Sequence, residues 1–134
     1  MTPEARLELD ILATFGRVED VALYRNETGQ GFTGSLERDL LAMLGPGLTP
    51  RQQATLRAVL NKHRIRWGLG EGSPDLIGGV AGRFLGLELK SDRGVVSAVQ
   101  RRWAEAARAR GLAVETVRSV NEAGAAIERA RRAA

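Results

Sequence analysis

Apolar positions along the chain change period several times. Leu7, Ile11 and Phe15 recur every fourth residue behind Thr2-Pro3-Glu4, predicting a helix with Thr2 as N-cap, Pro3 at its first position and Gly16 as its stop. Residues 21–26 (VALYRN) read as a strand, closed by a turn-rich segment over 27–31. Helical spacing returns over 35–44, stops at Gly45-Pro46-Gly47, and resumes after Thr49-Pro50 with Leu56, Val59 and Leu60 on one side and Arg51, Arg57 and Lys62 exposed. Residues 35–62 are therefore expected to form a helical hairpin inserted between two strands, placed either to cover a substrate or to meet a second subunit. His63, at its end, reads as a helix C-terminal cap rather than a ligand.

Residues 72–90 (GSPDLIGGVAGRFLGLELK) hold two short apolar runs around a Gly-rich turn, each carrying charge where a buried strand should have none. A hairpin turning at Ala81-Gly82 pairs 80 with 83, 78 with 85 and 75 with 88. Asp75 and Glu88 then face each other roughly 5 Å apart, and the period of two puts Lys90 on their face and Leu85, Leu87 and Leu89 on the other. Beyond a loop at 91–94, Ser97 caps a helix to about Arg110, with Gln100 completing a capping box, Ala98, Trp103 and Ala107 on its buried side and Gly111 as the stop. Residues 112–118 read as a strand reached by a crossover, and Ser119 with Glu122 as a second capping box opening the last helix. The order predicts an α/β fold, a mixed sheet of about four strands flanked by helices, in one domain over 1–134 with the 35–62 insertion inside it.

Two facing carboxylates repel, and burial raises their pKa values unless a cation sits between them. A divalent ion with oxygen ligands satisfies that need; so does an Asp–Lys or Glu–Lys pair at a solvated sheet edge. Glu4 and Glu8, four apart, share a helical face, and an acidic first turn also favours the helix dipole. Arg25 and Asn26 suit phosphate or base contact, or simply end a strand.

Composition narrows the chemistry. Cysteine is absent and His63 is the sole histidine, which excludes thiol nucleophiles, disulfides and multi-histidine metal sites. A net charge of +4 favours a polyanionic partner. Of 20 basic residues only Lys62 and Lys90 are lysine, so lysine is kept beside the paired acids in a chain that otherwise uses arginine. No G-K-[ST] exists and Gly68-Leu-Gly-Glu-Gly72 lacks the full dinucleotide pattern, so no nucleotide cofactor is expected. With no long apolar run and no signal-peptide pattern, the expectation is a soluble, cytoplasmic protein without membrane contact.

Ser-Pro-Asp75 followed by Glu88-Leu-Lys90 is the pattern of the PD-(D/E)XK nuclease superfamily. With G-S-P-D-L-I-G, L-E-L-K, S-x-x-Q at 97–100, Trp103 and V-R-S at 117–119, the chain resembles the VRR-NUC domain, in its small stand-alone form. The resemblance implies a restriction-endonuclease-like core that binds Mg²⁺ or Mn²⁺ through Asp75, Glu88 and the Leu89 carbonyl. It implies that Lys90 serves the attacking water, that Gln100 points into the site, and that Glu4, or else Glu8, reaches it from the first helix. The basic residues, Arg25, Arg93 and Arg101 among them, would contact DNA together with Asn26. The implied activity is structure-selective DNA cleavage, as by Holliday-junction resolvases, from a homodimer. A restriction-like duplex endonuclease and a non-catalytic DNA-binding module are the alternatives.

Overall fold

A computed structural model describes residues 1–31, 36–62 and 65–133. The backbone divides into two compact units, one of residues 1–27 and 69–134, the other of residues 28–68.

In the first unit, helix α1 (Pro3–Phe15) starts where Thr2 Oγ1 accepts the Ala5 N–H at 3.1 Å. A four-stranded sheet runs in the order β1 (Val21–Arg25), β4 (Leu76–Val80), β5 (Arg83–Leu89), β6 (Ala113–Val117). The first two pairings are antiparallel, and β5 runs parallel to β6 through helix α4 (Ala98–Ala109). Helix α5 (Val120–Arg132) closes the chain. This is a mixed α/β unit, its sheet flanked by helices as the hydrophobic pattern predicted.

The register follows from the turn. Ala81 (φ 50°) and Gly82 (φ 78°) both take the left-handed conformation, the primed hairpin geometry that sets Val80 opposite Arg83 and Leu76 opposite Leu87. Leu85, Leu87 and Leu89 are thereby buried with Leu23, Leu76 and Val117 against Ile11 of α1 and Ile127 of α5. Glu88 alternates to the other face, toward α4. Ala98, expected on the buried side of α4, is exposed; Ala107 is the buried residue of that helix. At α5, Ser119 caps Glu122 N–H at 3.1 Å, but the Glu122 carboxylate accepts from Arg118 N–H rather than closing the capping box on Ser119.

In the second unit, residues 29–31, expected to lie within a turn, form strand β2 (Gly29–Gly31), antiparallel to β3 (Ile65–Trp67). Strand β2 is Gly-Gln-Gly, with no apolar residue to alternate, and β3 is only three residues long. Between them stand helix α2 (Leu36–Leu44), a 3₁₀ turn (Gly45–Gly47) and helix α3 (Pro50–Asn61), which matches the predicted helical hairpin. Thr49 and Gln52 form a complete capping box on α3. His63 lies outside the described residues. Among those described, no helix is long and apolar enough to cross a membrane.

Candidate metal and phosphate site

Asp75 stands immediately before β4, and the register that pairs Leu76 with Leu87 makes Glu88 the residue opposite it. Pro74, one residue further out, lies with its ring beside Gly86 of β5. Proline has no N–H to give, so pairing across the hairpin ends there. The Asp75 side chain takes over, its Oδ2 accepting the Leu89 N–H at 2.7 Å. In an antiparallel pairing the N–H and C=O of one residue share an edge, so the Leu89 carbonyl is also on the Asp75 side.

Asn26 fixes this corner. Its backbone N–H donates to the Asp75 carbonyl at 2.8 Å, and its Nδ2 donates to Ser73 Oγ and the Pro74 carbonyl, both at 2.8 Å. Gly72 (φ 87°) lets the preceding loop approach α4, since a Cβ there would lie 2.6 Å from the Val99 carbonyl oxygen.

Glu88 is the buried charged residue of the core, 5% exposed. Its Oε1 accepts from Lys90 Nζ at 3.2 Å and from Gln100 Nε2 at 2.5 Å. Among the described residues no nitrogen donor is bonded to Glu88 Oε2 or Asp75 Oδ1, and a hydrogen bond between the two carboxyl groups contributes to holding a proton on Glu88. Burial first, then the charge of Asp75, push the Glu88 carboxyl up to about 7, against the opposing pull of Lys90.

The other expected site residues divide into three groups. Glu4 reaches the segment after Lys90, its Oε1 accepting the Ser91 N–H at 3.0 Å; hydrogen bonds from its own backbone and from Ser91 lower its pKa, and Lys90 adds to the effect. Glu8 instead forms an ion pair with Arg25, which points to the α1 face of the sheet and away from Glu88. Arg93 and Arg101 are exposed, Arg93 lining a cavity next to Lys90 and Arg101 in the first turn of α4.

Arg118 was legible as part of a motif but not as a structural clamp. Its Nη1 donates to the carbonyls of Ser91 and Gly94, at 2.5 and 2.8 Å, holding the turn that follows Lys90. An arginine at the end of a strand carries no sequence signal for such a reach.

Among the described residues no three His, Cys, Asp or Glu side chains gather into a metal-holding group. The oxygen set here is smaller: two carboxylates, each with an oxygen lacking a nitrogen donor, and the carbonyl of Leu89. That set suits Mg²⁺ or Mn²⁺, which commonly take one or two carboxylates and complete their shell with water and substrate phosphate. It does not suit zinc, which prefers nitrogen and sulfur. No family model, curated protein or solved structure matches the chain.

Proposed function

We propose that the chain is a metal-dependent endonuclease that hydrolyses DNA phosphodiester bonds on a restriction-endonuclease-like core of the VRR-NUC kind. One observation carries this reading: a buried Glu88, an opposed Asp75 and the Lys90 ammonium converge at the open end of one hairpin, with carboxylate oxygens that no nitrogen donor reaches among the described residues. An edge ion pair, the competing explanation of the same sequence pattern, accounts for Lys90 and Glu88 Oε1. It does not account for a second carboxyl group held against the buried one.

Asp75, Glu88 and the Leu89 carbonyl would hold Mg²⁺ or Mn²⁺, which supplies a more acidic water and charge stabilisation at the phosphate. Lys90 has its ammonium 3.2 Å from Glu88, where it can hydrogen-bond the attacking water and oppose the negative charge that grows on the phosphate oxygens. Gln100 orients Glu88 so that one oxygen stays toward Lys90 and the other toward Asp75. Glu4 holds Ser91, and through it the backbone beside Lys90, as a positioning residue. The exposed arginines of α4 would hold the DNA backbone with a salt-dependent affinity that carries little sequence information.

Branched DNA is the substrate class in keeping with such backbone-led recognition. A four-way junction is two-fold symmetric, so paired cuts call for a homodimer. The test is cleavage of four-way junction, flap and linear duplex DNA with Mg²⁺ or Mn²⁺, by the wild type, Asp75→Ala and Lys90→Ala. Preferential cutting of branched substrates by the wild type alone is expected. Discrete bands from a plasmid would favour a restriction-like enzyme, and metal-independent binding without cutting a DNA-binding module. A strict monomer in solution would remove paired junction cutting while leaving nicking.

A further inference from the structure

A cavity of about 430 Å³ opens beside Lys90 and is lined by Pro3, Leu7, Ser91, Asp92, Arg93 and Arg118 in addition to that lysine. Three of its lining side chains are cationic and one is acidic; Lys90 is already paired with Glu88, which leaves Arg93 and Arg118 as the cations open to an anion. Its floor is fixed in place. The Ser91 N–H is held by Glu4, the Ser91 and Gly94 carbonyls are held by Arg118, and Gly94 N–H closes the turn onto Ser91 at 3.0 Å. Lys90 N–H adds a bond to the Val117 carbonyl at 3.1 Å.

The cations differ in what they already do. Lys90 is engaged by Glu88. Arg118 spends Nη1 on two carbonyls, and its Nε and Nη2 have no acceptor among the described residues. Arg93 is exposed and makes no ion pair or side-chain hydrogen bond among them. Guanidinium donors left over at a cavity wall match the oxygens of a phosphate. Pro3 and Leu7 add apolar lining, suited to the carbon face of a sugar.

We propose that this cavity seats the sugar and phosphate of the nucleotide adjoining the cleaved bond, with Arg93 and Arg118 on its phosphate. The assignment rests on the nuclease reading for its choice of nucleotide, but the pocket can be tested without metal or turnover. The probe is thymidine 3′,5′-bisphosphate, titrated into the full chain in metal-free buffer and followed through backbone amide NMR shifts. Saturable shifts centred on Leu7, residues 90–94 and Arg118 are expected, with affinity weakened about fivefold in Arg93→Gln and further in Arg93→Glu. Arg93 is exposed, so neither variant disturbs folding. Absence of saturable shifts there, or equal affinity in wild type and both variants, overturns the proposal. A wild type that cuts DNA yet fails to bind the probe loses this pocket and keeps the cleavage centre; one that binds the probe in this way yet never cuts keeps the pocket and loses the nuclease.

Discussion

Gln100 donates from Nε2 to Glu88 Oε1 at 2.5 Å while its own Oε1 accepts the Ser97 N–H at 2.9 Å. One amide therefore completes the cap of α4 and orients the buried acid of the site. Removing it as Gln100→Ala takes away both bonds, with an expected loss of about 1–2 kcal/mol in stability. Gln100→Glu keeps an acceptor for Ser97 but turns a second carboxylate toward Glu88. The Glu88 carboxyl should then titrate higher still in metal-free protein, which carbon-detected NMR of the side chain measures directly. An unchanged titration would mean that Gln100 does not govern Glu88.

The raised pKa of Glu88 makes a signed prediction about pH. Its folded value of about 7 lies above its ordinary 4.5, so between them the folded state holds a proton that the unfolded chain has released. Without metal, the Glu88 contribution to stability is greatest below about pH 4.5 and falls as pH rises through 7. Glu4 acts in the opposite sense: its lowered pKa contributes stability above the ordinary carboxylate range and loses it in acid. Urea unfolding of wild type and Glu88→Gln between pH 5 and 8 should show a decline in the first that is absent in the second. Parallel curves would remove Glu88 as its source.

Metal should reverse that decline. A cation bound to the folded state alone stabilises it by about 2.7 kcal/mol at a hundredfold excess over Kd. Thermal unfolding at pH 8 is expected to rise with Mn²⁺ or Mg²⁺ for the wild type, fall back on chelation, and stay flat for Asp75→Asn. A rise of equal size in Asp75→Asn would place any bound ion elsewhere.

Most of the fold was legible because its signals are local. Caps at Thr2 and Ser97 mark helix starts, and the Ala81-Gly82 turn with the alternation of Leu85, Leu87 and Leu89 sets the strand register, each from a few neighbouring residues. That register brought Asp75 opposite Glu88 and Lys90 onto their face. What escaped depends on long-range placement. Strand β2 has no apolar residue and β3 is too short for its alternation to stand out, and the pairing of Arg25 with Glu8 is decided by how α1 crosses the sheet. Arg118 reaches the carbonyls of Ser91 and Gly94 across 27 and 24 residues of sequence, a contact no spacing rule anticipates.

The turn itself stores a small, testable strain. Ala81 holds φ at 50°, a conformation unfavourable for a residue with a Cβ. Ala81→Gly is expected to stabilise the chain by up to about 1 kcal/mol in denaturant unfolding, with the hairpin register retained. A loss of stability would mean that the turn does not hold this geometry.

The most direct measurement is the single-turnover cleavage rate of a labelled four-way junction at saturating protein, with Mg²⁺ or Mn²⁺. Saturation removes differences in DNA affinity, so the rate reports on the centre alone. Wild type should cut, while Asp75→Asn, Glu88→Gln and Lys90→Met, each checked to be folded, should be slowed by about a hundredfold or more. Equal rates in wild type and these variants, or a folded wild type that cuts neither branched nor linear DNA with either metal, would contradict the account.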